Sequence, residues 1–63
     1  MKGIIRWYNN LKGFGFILGD DGEDVIIRRA NLLAETNLYE GEKVIYRLVN
    51  TYRGAQVTNV KKV

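Results

Sequence analysis

The sequence predicts an all-β fold, a small antiparallel barrel of five strands. Three observations lead there. Turn-forming clusters divide the chain into five short stretches rich in β-branched and aromatic residues, no Pro interrupts any of them, and 63 residues leave room for one domain, residues 1–63. Strands this short and numerous favour a closed or nearly closed sheet, because closure removes unpaired edges.

The first strand, Lys2 to Asn9, carries Ile4, Ile5, Trp7 and Tyr8 and stops at the turn pair Asn9-Asn10. Ile4 and Ile5 are adjacent and both favour burial, so alternation alone leaves its inward face undecided. The second strand, Gly13 to Leu18, ends at Gly19-Asp20-Asp21-Gly22, residues that tolerate the conformations of a chain reversal. The third, Asp24 to Arg29, sets Val25 and Ile27 against Ile26 and Arg28, and the face without charge is expected inside. Ala30 to Gly41 contains enough Ala, Leu and Glu for a turn of helix. A helix that short is marginal alone, so the stretch reads as a structured loop. The fourth strand, Lys43 to Val49, places Val44, Tyr46 and Leu48 inward and Ile45, Arg47 and Val49 outward. A loop with Tyr52, Arg53 and Gly54 leads to the fifth strand, Ala55 to Val63.

Composition narrows the function. The chain contains no Cys, so disulfides and thiolate metal sites are excluded, and with no His either a metal site is not expected. Without His, Cys or Ser there is neither an evident nucleophile nor a tuned base, so no catalytic residue and no enzymatic activity are expected. No apolar run is long enough to span a membrane, and no signal-like leader is evident; a cytoplasmic protein is the expectation. Ten Lys and Arg against seven Asp and Glu give a formal net charge of +3, a modest bias toward polyanions. Asp20, Asp21, Glu23 and Asp24 gather in one turn region and Glu35 in another loop, which leaves the basic residues room to form a face.

The informative segment is Lys12-Gly13-Phe14-Gly15-Phe16-Ile17. On a strand, Phe14 and Phe16 share one side while Gly15 and Ile17 share the other. If Ile17 points inward, both Phe rings face solvent beside Trp7 and Tyr8 of the neighbouring strand, with Arg6 and Lys12 flanking them. Exposed rings framed by cations suit single-stranded nucleic acid: bases stack on the rings and the cations neutralise phosphates. Spacing alone supports a second reading equally, in which the Phe pair and the lone Trp fill the core. Gly-Phe-Gly is not a phosphate loop, since no Lys-Ser/Thr and helix follow it, and the Asp20–Asp24 cluster lacks the ligand spacing of a calcium loop.

Lys2-Gly3-Ile4-Ile5-Arg6-Trp7-Tyr8-Asn9, followed by Lys12-Gly13-Phe14-Gly15-Phe16-Ile17, closely resembles the opening of bacterial cold-shock proteins and cold-shock domains. The similarity continues through Asp24-Val25, Leu38, Glu40-Gly41, Arg53-Gly54, Gln56 and Asn59-Val60, nearly the whole chain. The resemblance implies a five-stranded antiparallel OB-fold barrel that binds single-stranded RNA and DNA with limited sequence preference. It implies base stacking on Trp7, Phe14 and Phe16, helped by Arg6, Tyr8, Lys12, Asp24 and Arg53, and so favours the exposed reading of the Phe pair. It also implies a cofactor-free RNA chaperone, acting on translation or transcription termination, without a small-molecule substrate and expected as a monomer.

The chain departs from the family on strand three. Where the family usually reads Val-Phe-Val-His-Phe, this chain has Val25-Ile26-Ile27-Arg28-Arg29, so the outward positions Ile26, Arg28 and Arg29 carry no aromatic ring. Arg is planar and can both stack on a base and grip a phosphate, so the Arg pair is expected to keep binding while shifting it toward charge. The loop from Leu33 to Leu38 is shorter and lacks an aromatic, and Ala55 stands where Pro often follows the Gly. The competing function is a protein-interaction or homodimer module on the same barrel, built on an outward apolar patch of Ile26, Ile45 and Val49.

Overall fold

The computed structural model describes residues 1–33 and 36–63, so the loop position expected for Glu35 lies outside the described residues. Five strands follow the chain: β1 (Lys2–Asn9), β2 (Phe14–Gly19), β3 (Asp24–Arg28), β4 (Lys43–Thr51) and β5 (Gly54–Lys62), with a 3-10 turn at Arg29–Asn31 after β3. They form one antiparallel sheet in the order β3-β2-β1-β4-β5. The N-terminal part of β1 pairs with β4 while the whole strand pairs with β2, so β1 joins two halves of the sheet.

The two halves curl around one core. Ile5, Ile17 and Ile27 enter it from β1, β2 and β3; Val44 and Tyr46 enter from β4, and Val57 and Val60 from β5. Leu38, from the long loop, is also fully buried there. The Asn10 side chain holds Leu38 in place, its Nδ2 donating to the Leu38 carbonyl at 2.8 Å and its Oδ1 accepting the Leu38 amide at 2.8 Å. The barrel does not close through a strand ladder. Among the described residues, β3 and β5 are not hydrogen-bonded as strands; Leu32 instead bridges in parallel to Val60, and the Leu33 amide donates to the Val60 carbonyl at 2.8 Å. No described helix is long and apolar enough to cross a membrane.

Two irregularities set which side chains face inward. Between Ile5 and Trp7, β1 advances two residues while β2 advances one, since Ile5 pairs with Ile17 and Trp7 with Phe16. The extra residue is Arg6, and such a bulge shifts the alternation that follows it. On β5, Asn59 adopts a left-handed φ of 56°, and two residues there oppose one of β4 between the pairs Arg47–Thr58 and Ile45–Lys61. That second bulge allows both Val57 and Val60 to point inward, three residues apart rather than two.

The ambiguity in β1 is resolved in favour of Ile5, which is buried, while Ile4 is exposed. Two expectations for β4 need correcting. Leu48 was expected inside but is exposed, because β4 and β5 run on as a hairpin arm whose residues from Leu48 to Gln56 all face solvent. Ile45, expected outward, is half-buried. The turn after β2 forms where expected: Gly22 sits at φ +87°, its amide donates to the Gly19 carbonyl, and Asp21 Oδ1 accepts the Glu23 amide at 3.1 Å.

Gly15 faces the bulged part of β1. A Cβ there would meet the Trp7 carbonyl oxygen and the Tyr8 Cα, both backbone atoms of the paired strand. Gly15→Ala is therefore expected to lower folding stability by about 1–3 kcal/mol, read from the urea midpoint, as overpacking does. An unchanged midpoint would mean that β1 can move away freely.

Burial pushes the Tyr46 phenol above its ordinary value of 10.0, and the Asp21 and Asp20 carboxylates push it the same way. The folded state therefore holds this proton more tightly than the unfolded chain does. Its contribution is fully present below the unfolded value and is lost as pH rises through the raised folded one. The urea midpoint is expected to start falling near pH 10, and Tyr46→Phe should shallow that fall.

Candidate nucleic-acid interface

The bulge at Arg6 builds a ring cluster on the outer side of β1–β2–β3. It turns Trp7 outward opposite Phe16, and Phe16 in turn pairs with Ile26. One row across the strands is thus Trp7–Phe16–Ile26, and the next is Asn9–Phe14–Arg28. The Trp7 ring lies 5.5 Å from Phe14, edge-on at 67°, and 6.4 Å from Phe16, tilted by 37°. These are separations at which aromatic pairs attract one another. Trp7 is 43% exposed and the two Phe rings 37% each, so all three keep open ring surface while bracing one another. Ile26 extends the apolar surface and is 57% exposed. Fully burying one such side chain contributes roughly 1.5–3 kcal/mol, stabilisation that the fold gives up in part here.

Tyr8 is placed differently. The bulge turns it inward opposite Gly15, where it is half-buried against the core, and its hydroxyl is buried without a hydrogen-bond partner among the described residues. It packs against the core and does not join the exposed ring cluster.

Cations frame the cluster at several points. Arg6, on the bulge, lies 3.7 Å from the Asp24 carboxylate, and both side chains are about half exposed. Lys12 sits in the β1–β2 turn, exposed, with its amide donating to Asn9 Oδ1 at 2.9 Å; the Leu11 amide donates to the same oxygen at 3.0 Å. Asn9 therefore shapes the turn that presents Lys12. Arg28 projects outward beside Phe14, its amide held by Asn31 Oδ1 at 2.9 Å. Arg53 lies at the tip of the β4–β5 hairpin, its guanidinium 5.5 Å from the Tyr52 ring. The acids Asp20, Asp21 and Glu23 occupy the turn at the end of β2 away from Phe14.

The structure separates Arg28 from Arg29. The Arg29 guanidinium donates to the Asn10 carbonyl, its amide donates to the Gly13 carbonyl at 2.8 Å, and its side chain covers Gly13. Arg29 thus ties the end of β3 to the β1–β2 turn, while Arg28 is the member of the pair on the ring-bearing face. The supporting roles of Asn9 and Asn10 were not foreseen; the adjacent Asn pair in the turn was their only signal. Nor does the structure gather Ile26, Ile45 and Val49 into one patch. Ile26 belongs to the ring row at one edge of the sheet, Ile45 is half-buried between Lys2 and Lys61, and Val49 lies on the hairpin arm opposite Gln56.

Comparison with known proteins points to one family. The family model described as the 'Cold-shock' DNA-binding domain matches residues 1–63. Cold shock protein 2 of Lactiplantibacillus plantarum is 43% identical over 62 residues, covering 95% of this chain and 94% of that protein. Cold shock-like protein CspC of Bacillus cereus is 39% identical over 64 aligned positions, covering 98% of each chain. Cold shock protein CspC of Bacillus subtilis is 38% identical over 63, covering 97% of this chain and 96% of that protein.

Proposed function

The chain belongs to the cold-shock domain family, and from that premise we propose that it binds single-stranded RNA and DNA on the outer side of β1–β2–β3 as a chaperone of RNA structure. The observation that carries this reading is the cluster of Trp7, Phe14 and Phe16, with Trp7 packed against both Phe rings and all three left open to solvent on adjacent strands. Large exposed apolar surface on a small domain marks a binding site. Rings flanked by cations suit unpaired bases, whose faces are free to stack.

In this reading Trp7, Phe14 and Phe16 stack on successive bases, and Ile26 lengthens the apolar track. Arg6, Lys12, Arg28 and Arg53 neutralise phosphates, while Asp24 accepts from a base edge or steadies Arg6. Tyr8 and Arg29 act by positioning, one against the core and the other at the β1–β2 turn. No catalytic step is required. A protein that binds the open strand and not the paired one shifts a hairpin toward opening by mass action. Effects on translation or transcription termination would follow from that shift. The protein acts in this account as a cytoplasmic monomer.

Titration with oligothymidine or oligouridine is expected to quench Trp7 fluorescence. Phe14→Ala and Phe16→Ala should each weaken binding by about 1–3 kcal/mol with little loss of stability. Severe unfolding of both variants would instead show the rings to be core, since truncating a buried Phe costs roughly 3–5 kcal/mol. A duplex of equal length should bind more weakly than the single strand, because pairing hides the base faces.

The divided Arg pair makes a second outcome specific. Each phosphate contact on a single strand contributes about −0.7 to the slope of log affinity against log salt. Arg28→Ala is expected to flatten that slope by roughly 0.7. Arg29→Ala should leave the slope nearly unchanged and lower folding stability by about 1 kcal/mol through the lost bond to Asn10. Equal flattening by both variants would overturn the assignment of Arg29 to a positioning role.

A further inference from the structure

The open seam between β3 and β5 forms a groove of about 550 Å³ beside the ring cluster. Its β3 wall presents Asp24, Ile26 and Arg28, and Gln56 and Val57 face it from β5, with Asn31 also at its lining. The groove is continuous with the platform, since Ile26 pairs with Phe16 and Arg28 with Phe14. A strand stacked on the rings therefore passes its edge.

We propose that this groove takes one base of the bound strand and selects guanine, with Arg28 and Asp24 reading two adjacent edges of it. The inference rests on the single-strand platform described above and assigns that platform a base preference. The argument is one of polarity. Asp24, Ile26 and Arg28 alternate along β3, so all three point to the outer side. Arg28 and Asp24 stand four residues apart, about 13 Å at the rise of a strand, with the exposed apolar Ile26 between them. One end of the groove thus offers a planar fork of donors, the other a carboxylate acceptor, and the middle an apolar floor.

Guanine fits that order. Its O6 and N7 form an acceptor pair that an Arg fork matches with two hydrogen bonds, and its N1–H and N2–H groups form a donor pair on another edge, suited to a carboxylate. Adenine and cytosine each carry their exocyclic donor next to an acceptor on the same edge, and in thymine and uracil the N3–H lies between two carbonyl oxygens. None of these presents an acceptor pair on one edge and a donor pair on the adjacent edge. The contact of Asp24 with Arg6 at 3.7 Å is exposed, involves one carboxylate oxygen, and leaves the other free to accept. The Asn31 bond to the Arg28 amide fixes the backbone from which the fork projects. Against a strand without guanine, Arg28 has no matching base edge and serves a phosphate instead.

The test is a set of short oligothymidines carrying one guanine, adenine or cytosine at each position in turn, with affinity read from Trp7 fluorescence. Guanine at one position is expected to tighten binding about tenfold, within the range measured for a bidentate base contact, while adenine and cytosine there do not. The decisive readout is the ratio of affinities for the guanine-bearing strand and plain oligothymidine. Arg28→Lys keeps the charge but loses the fork, so it should bring that ratio near one, and Asp24→Asn should reduce it. If no position prefers guanine, or if Arg28→Lys retains the full preference, the groove does not read guanine and the platform assignment stands. If oligothymidine fails to bind at all, the platform assignment falls and this inference falls with it.

Discussion

Between Ile5 and Trp7, strand β1 carries one residue more than β2, and the sorting of side chains between core and ligand face hangs on that extra residue. Before it, Ile5 points inward opposite Ile17; after it, Tyr8 points inward opposite Gly15. Arg6 and Trp7, consecutive in sequence, are thereby both exposed. In a regular ladder Trp7 would share the inward side of Ile5 and compete for a core that eight buried side chains already fill. The bulge needs a partner strand that yields space, and Gly15 provides it by having no Cβ where the β1 backbone comes close. Phe14 and Phe16, on either side of that glycine, are then aimed outward to meet Trp7. Core, platform and the glycine between the two rings are consequences of one local geometry.

Much of this was legible from the sequence. The bounds of β1, the turn at Gly19–Gly22, and the inward set Ile27, Val44 and Tyr46 follow from turn chemistry and period-two alternation. What alternation missed lies where the period breaks. Ile4 and Ile5 could not be ordered within their own strand, because the answer is set by pairing with β2 and β4. The burial of both Val57 and Val60 depends on the left-handed Asn59, and a lone Asn in a strand does not reveal that. Leu48 failed for a different reason: its alternation is regular, but β4 has by then run beyond the core into the hairpin arm. The candidate site shows the same division. Spacing left the exposure of Trp7, Phe14 and Phe16 undecided and the family resemblance favoured it, whereas reading Arg28 and Arg29 as both outward passed over their alternation. Arg28 is the last residue of the strand, while Arg29 opens the 3-10 turn and lays its side chain over Gly13.

A domain of 63 residues buries only about 60% of the surface that its unfolded chain exposes, so leaving three rings half open is a considerable sacrifice. The loops supply the compensation. Leu38 fills the core from outside the sheet, and the Asn10 side chain satisfies both polar groups of its peptide linkages, so burying Leu38 leaves neither unpaired. Arg29 then binds the carbonyl of the same Asn10. The β1–β2 turn, the end of β3 and the long loop are thus connected through one residue. Because Lys12 and Phe14 lie in or beside this turn, the contacts that replace lost core area are also those that hold part of the ligand face.

This coupling bears on how strand β3 can change without loss of the fold. Its inward residues Val25 and Ile27 belong to the core or pack against it, while its outward residues Ile26 and Arg28 make no described contact on which the core depends. The outward positions can therefore carry an aliphatic residue and a guanidinium in place of rings without cost to the core. Arg29 has no such freedom, since its head group is engaged with the turn. Under the proposed reading, substitution at Arg28 would alter which nucleic acid is favoured, and substitution at Arg29 would alter whether the face is assembled. The two neighbouring arginines, alike in charge and chemistry, are distinguished by position, one ending the strand and the other laid over the β1–β2 turn.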